Sequence, residues 1–130
     1  MKRKILMLAV CGALCLAGCA AEPTEEATYR QIDMNEAVVM MAAETDYIIL
    51  DVRTEEEFAQ GHIPGAINVA NEVIGTEQIP QLPNKDQLIL VYCRSGNRSK
   101  HAAEKLVALG YTNIVEFGGI RDWQGEVVTD

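Results

Sequence analysis

The sequence predicts an α/β layered fold built on parallel strands. Short apolar runs rich in β-branched residues, clearest at 48–50 and 88–92, alternate with segments that carry helix-start and helix-stop residues. Within those runs both faces are apolar, as in strands buried on both sides. Such alternation implies crossover connections and therefore parallel pairing. A length of 130 residues allows one domain, and a hydrophobic fraction of 48% is enough for a packed core without metal or disulfide support.

Each element has a local reason. Residues 29–32 fit a short strand. Asp33 reads as an N-cap, with Glu36 three residues on as in a capping box, and opens a helix to about Ala43. Ile48, Ile49 and Leu50 make a buried strand. Thr54 followed by Glu55, Glu56 and Glu57 reads as a capped helix start, its acids favouring the positive end of the helix dipole. Residues 61–65 form a turn and 66–69 a short strand. From Asn71 to Leu82 the pattern supports one or two short helical turns, stopped by Pro80 and Pro83. Residues 88–92 are the clearest strand. After a loop over 93–98, an amphipathic helix is expected over 100–109, with Ala102, Ala103, Leu106 and Leu109 inward and Gly110 as its stop. Residues 114–117 make a last strand, followed by Gly118, Gly119 and a short segment around Trp123.

The N-terminus has a different character. Lys2, Arg3 and Lys4 precede an apolar run from Ile5 to Leu16, which is short for a membrane span and suits a secretory signal peptide. It ends in Leu16-Ala17-Gly18-Cys19, which resembles the bacterial lipoprotein signal motif, cut before an acylated cysteine. Residues 20–27 are polar and acidic, the composition of a disordered tether. The expected organisation is a signal peptide over 1–18, a lipidated tether over 19–28 and a folded domain over 29–130. The protein is then extracytoplasmic, held at the membrane by acyl chains on Cys19. The net charge of −8 argues against a nucleic-acid partner, which requires clustered Lys and Arg.

Cysteine usage points to chemistry. Cys11 and Cys15 leave with the signal peptide and Cys19 is acylated, so Cys93 stands alone and no intramolecular disulfide is expected. Cys93 sits at the carboxyl end of the best strand and just before the best helix, where α/β sheets place their ligand sites. The loop reads Cys93-Arg94-Ser95-Gly96-Asn97-Arg98, then Ser99. Gly96 permits a positive φ and Asn97 tolerates one, so successive amides can turn inward as a nest around one point. The following helix adds its unsatisfied donors and positive dipole end. A thiol there should be acidified and nucleophilic as the thiolate, with no separate general base required. Arg94 and Arg98 add positive potential for an anionic substrate. A metal or proton-transfer role for His62 with His101 is disfavoured, because neither has a ligand-spaced companion. No cofactor or metal is implied, and Trp123 reads as core or cleft wall.

These residues together carry a resemblance. Leu50-Asp51-Val52-Arg53, Glu57-Phe58, the run from Gly61 to Asn68, Val91-Tyr92-Cys93-Arg94-Ser95-Gly96-Asn97-Arg98-Ser99, Gly110-Tyr111 and Gly118-Gly119-Ile120 with Trp123 resemble a single-domain rhodanese, in order and over nearly the whole chain from Tyr29. The resemblance implies a three-layer α/β/α domain with a five-stranded parallel sheet. It implies a sulfurtransferase in which Cys93 takes sulfane sulfur from a small anionic donor such as thiosulfate and passes the sulfur to cyanide or a thiol acceptor. It also implies that Asp51 and Arg53 are scaffold residues bracing the neighbouring loops, with Ser99 supporting the Cys93 loop.

Two other readings of the same loop stand beside it. A cysteine-dependent phosphatase or arsenate reductase uses a similar cradle, but places Arg six positions after the cysteine, where this chain has Ser99. The shorter loop suits one sulfur atom better than a tetrahedral oxyanion. The second reading is a non-catalytic rhodanese-like module that docks or senses without turnover.

Overall fold

A computed structural model describes residues 28–130. The expected signal peptide, the acylated Cys19 and the tether up to residue 27 lie outside the described residues. The elements in order are β1 (Arg30–Gln31), α1 (Met34–Ala43), β2 (Tyr47–Asp51), α2 (Glu55–Gln60), β3 (Ile67–Asn68), β4 (Leu88–Cys93), α3 (Asn97–Ala108) and β5 (Ile114–Gly119). Two 3-10 turns, Asn71–Val73 and Ile120–Asp122, complete them. The five strands form one sheet in the order β1-β5-β4-β2-β3, with every pairing parallel. This is the parallel α/β sheet that the alternation of strands and helices predicts, with the five strands that the resemblance implies.

Strand alternation sorts the core into two layers. Leu50, Val52, Ile89, Val91 and Cys93 face one way and pack with Ala102, Ala103 and Leu106 of α3. Ile49, Leu90, Tyr92, Val115 and Phe117 face the other way, towards Ala37 and Met40 of α1, Phe58 of α2 and Trp123. Helices therefore cover both faces, as buried parallel strands require. β4 lies in the middle of the sheet, and from Ile89 to Cys93 it is buried throughout.

The two acidic helix starts form as expected. Asp33 accepts from the Glu36 amide at 2.8 Å while Glu36 accepts from the Asp33 amide at 3.0 Å. Thr54 and Glu57 make the same reciprocal pair at 3.2 and 3.0 Å. Each such cap is worth about 1 kcal/mol.

One expectation about element bounds is corrected. α3 begins at Asn97, not Lys100, so Asn97 and Arg98 belong to the first helical turn and only Gly96 takes a left-handed conformation, at φ 106°. Gly96 is the N-cap, and no side chain caps the helix. Its own amide is turned onto the Cys93 sulfur instead. Between Asn71 and Leu82 a single 3-10 turn forms. The remainder is irregular but anchored, because Ile74, Ile79 and Leu82 are buried against the α3-side core.

Candidate active site

The register brings three strand ends to one place. Asp51 of β2 pairs with Tyr92 of β4, and Cys93 pairs with Gly119 of β5 across an irregularity in the ladder. The Cys93 side chain then points into the turn before α3. Its sulfur accepts the Gly96 amide at 3.0 Å and lies 3.5 Å from the Ser99 hydroxyl oxygen. Burial pushes the Cys93 thiol up. The hydroxyl of Ser99 and the amides of Ser99, Gly96 and Ser95 outweigh it, and the thiol ends below its ordinary value. Hydrogen bonds to the charged form produce that direction. The inward-facing amides expected from the sequence are thus in place around the sulfur. Cys93 is only 1% exposed, which admits a small end-on atom and disfavours a bulky group.

Gly119 is what lets β5 press against this loop. A Cβ on Gly119 would lie 2.0 Å from the Arg94 carbonyl oxygen and 2.6 Å from Ser95 Cα. No side chain fits between the strand end and the cradle.

Beneath the cradle lies a group that sequence reasoning passed over. Glu116 is 3% exposed, in the run that the sequence marks only as a last strand. Its Oε2 accepts the Ser99 hydroxyl at 2.5 Å and the Gly118 amide at 3.0 Å. A charged residue at a both-face-buried strand position was the signal available in the sequence, since an acid seldom sits there without a partner.

Two braces hold the surrounding loops. Asp51, fully buried, pairs with Arg53 at 2.6 Å, and Arg53 also donates to the Gly61 carbonyl at 2.6 Å. The Tyr92 hydroxyl donates to Asp51 at 2.6 Å and accepts the Ile63 amide at 3.1 Å. Asp51 and Arg53 therefore tie the end of β2 to the loop over 61–63, with Tyr92 as a third member to which the sequence reading gave no such role. The second brace is Arg98 to Glu57, bidentate at 2.7 and 3.0 Å, joining the start of α3 to α2. Arg98 is thus committed to a carboxylate and is not the free cation expected for a substrate; the Glu57 it meets is distant in sequence. Through that same contact with Arg98, the Glu57 carboxyl is lowered to about 2.

Cations for an anionic substrate come from elsewhere. A cleft of about 560 Å³ is walled by Arg53, Arg94 and Arg121 with Glu57 and Gly61. Arg94 and Arg121 are exposed, and among the described residues neither is in an ion pair. Arg121 was not singled out from sequence; its place just past the Gly118-Gly119 end of β5, beside β4, is what brings it to the mouth. Asn97 is exposed at the first helical position. His62 is buried, stacked on Phe58 and bound to the Phe58 carbonyl at 2.8 Å, whereas His101 is exposed. The two do not form a common site. Trp123 is half-buried against the α1-side core and donates to the Glu126 carbonyl. Among the described residues no group of three or more His, Cys, Asp and Glu side chains is placed to hold a metal.

Comparison with known proteins agrees with this geometry. The family model described as a rhodanese-like domain matches residues 33–126. The thiosulfate sulfurtransferase PspE of Escherichia coli is 36% identical over 73 residues, covering 56% of this chain and 70% of that protein. A sulfurtransferase of Allochromatium vinosum is 35% identical over 94 residues, covering 72% and 86%. Larger relatives match only in part: the chain spans 20% of the adenylyltransferase and sulfurtransferase UBA4 of Candida albicans, at 40% identity over 88 residues. Among solved structures, a rhodanese-related protein from Thermoplasma volcanium superposes with a TM-score of 0.65 at 30% identity, over 78% of this chain and all of that one. With its fold, its cysteine loop and these relatives in agreement, the chain belongs to the rhodanese-like family.

Proposed function

We propose that this protein moves sulfane sulfur through a persulfide on Cys93. The observation that carries the reading is the Gly96 amide bound to the Cys93 sulfur at 3.0 Å, in a turn whose Ser95 and Ser99 amides also lower the thiol. In the first step the Cys93 thiolate attacks the outer sulfur of thiosulfate or a similar anionic donor. A new S–S bond forms, the old one breaks, and its electron pair leaves with sulfite. In the second step an acceptor thiolate or cyanide attacks the terminal sulfur, which departs as an acceptor persulfide or thiocyanate and returns the Cys93 thiolate. Donor charge is met by Arg94 and Arg121 at the cleft, where their effect is on capture more than on bond making.

Cys93 is the single free cysteine among the described residues. With no second cysteine among the described residues to resolve it, the sulfur leaves to an external acceptor. A phosphatase reading is disfavoured because Ser99, not an Arg, stands six positions after Cys93, and Arg98 is paired with Glu57. The test is intact mass after incubation with thiosulfate. The expected result is a gain of one sulfur atom, removed by cyanide and absent in Cys93→Ser. A wild-type protein that takes up no sulfur is the docking module instead.

The same proposal includes export and anchoring through Cys19, supported by the basic, apolar and Leu-Ala-Gly-Cys order of residues 2–19. Replacing Cys19 with Ser should move the protein from the membrane fraction to the soluble one. An unchanged distribution would refute the anchor.

A further inference from the structure

The hydroxyl of Ser99 stands between two groups that both require its proton. Its oxygen is 2.5 Å from Glu116 Oε2 and 3.5 Å from the Cys93 sulfur. A hydroxyl has one proton to donate. An oxygen–oxygen separation of 2.5 Å needs a proton on the line, because two bare lone pairs would repel there. When Ser99 donates to Glu116, the sulfur meets an oxygen lone pair, and the stable partner of that lone pair is a thiol S–H. When the sulfur is a thiolate and draws the Ser99 proton to itself, the proton between Ser99 and Glu116 must belong to Glu116. The arrangement therefore has two states of equal charge, thiol with carboxylate or thiolate with carboxylic acid.

We infer that Glu116 is the store for the proton that Cys93 gives up, reached through Ser99. This rests on the sulfur-carrier reading of Cys93 and names where its proton goes. The step is balanced: the Cys93 S–H bond breaks, its proton passes to the Ser99 oxygen, and the Ser99 proton passes to Glu116 Oε2. No charge crosses to solvent, which matters for a sulfur that is 1% exposed beside a carboxyl that is 3% exposed. A buried site holding one negative charge is far less costly than one holding two. Sulfur loading preserves this inventory, since the thiolate becomes a persulfide anion and the proton stays on Glu116. The Gly118 amide, at 3.0 Å from the same Oε2, keeps the carboxyl aimed at Ser99 in both states.

Other ionisable groups face the pair. Asp33 and Glu36 at the start of α1, Lys100 of α3 and Asp122 line the cavity that Glu116 also lines, and the phenol of Tyr29 is pushed up chiefly by burial and then by Glu104 and Glu116. On the cleft side Arg98 is engaged by Glu57. None of these is hydrogen-bonded to Ser99.

The test uses infrared spectroscopy of the folded protein at neutral pH, where ordinary carboxyls are ionised. The expected result is a carboxylic-acid C=O band present in the wild type, absent in Glu116→Gln, and absent in Cys93→Ala, which has no thiol proton to give. Thiolate ultraviolet absorbance followed against pH should rise in two steps in the wild type, as in a coupled pair, and in one step in Glu116→Gln. If Glu116→Gln does not fold, the comparison of wild type with Cys93→Ala decides alone. Thiolate absorbance without an acid band in the wild type overturns the inference, as does a band that survives in Cys93→Ala. Sulfur uptake measured by mass on the same samples separates the two readings. Uptake without the band leaves the carrier standing and removes the proton store, whereas the band without uptake does the reverse.

Discussion

Gly119→Ala is the substitution whose consequence can be worked most fully from the structure. The added methyl carbon would lie 2.0 Å from the Arg94 carbonyl oxygen, against the 3.4 Å at which ordinary contact begins, so the backbone at Arg94 and Ser95 must retreat by about 1.4 Å. Gly96 follows Ser95 directly, and its amide bond to the Cys93 sulfur, now 3.0 Å, would stretch past hydrogen-bonding range. Losing one hydrogen bond to a charged group costs about 1.5–3 kcal/mol. At a pH where thiolate is limiting, that is roughly a 10- to 150-fold fall in the rate of sulfur loading from thiosulfate. Overpacking adds about 1–3 kcal/mol of destabilisation, which lowers the melting temperature by about 4–8 °C per kcal/mol for a domain of this size. Loading is read by mass spectrometry over time and stability by thermal melting. Gly118→Ala is the neighbouring control: Gly118 is left-handed, at φ 102°, whereas Gly119 is extended, and a Cβ on Gly118 meets nothing within 4 Å. It should lose about 1–2 kcal/mol of stability from backbone strain and load nearly as fast as wild type. The reasoning is refuted if Gly119→Ala loads at the wild-type rate, or if Gly118→Ala is the slower of the two.

Two further outcomes follow from the charged groups at the cleft. Arg121→Ala should raise the KM for thiosulfate about fivefold with little change in kcat, an effect of about 1 kcal/mol that shrinks as salt screens it; a loss independent of salt would point to a structural role for Arg121. For the Glu57–Arg98 brace, the Glu57 carboxyl is held at about 2 against an ordinary 4.5, chiefly by Arg98. A lowered carboxyl contributes stability above its ordinary value and loses it as the pH falls. The melting difference between wild type and Glu57→Gln, on the order of 1 kcal/mol for a half-buried pair, should therefore be full above pH 4.5 and close on approach to pH 2. A difference that stays constant across that range would mean that the pair does not carry it.

What was legible in the sequence was local. Asp33 with Glu36 and Thr54 with Glu57 announce helix starts because a cap is completed within four residues, and both caps form. The position of Cys93 followed from a strand ending where a helix begins. The parallel sheet followed from apolar runs separated by helical segments. What escaped was set by chain segments far apart in sequence. Arg98 looked like a substrate cation because its partner Glu57 lies 41 residues away. Arg121 was passed over because only the β4–β5 pairing carries it to the cleft. The start of α3 was read three residues late because its cap is an unusual one, a glycine whose amide serves a sulfur.

Tyr92 and Cys93 show why the missed residues still belong to the same design. They are consecutive in β4, so their side chains leave the sheet on opposite faces. On one face the Tyr92 hydroxyl is fixed by Asp51 and the Ile63 amide, with Arg53 extending the brace to Gly61. On the other face Cys93 is fixed by the cradle amides, with Ser99 and Glu116 beneath. A backbone clamped through Tyr92 cannot shift without moving the sulfur that follows it. The charged residues that the family resemblance marks as scaffold thus act on the thiol through one peptide unit, and none of them needs to touch it. A tight cradle around one atom tolerates little displacement, since an amide at 3.0 Å has about 1 Å of travel before its bond to sulfur is lost. Rigidity on the Tyr92 face is therefore a condition for reactivity on the Cys93 face.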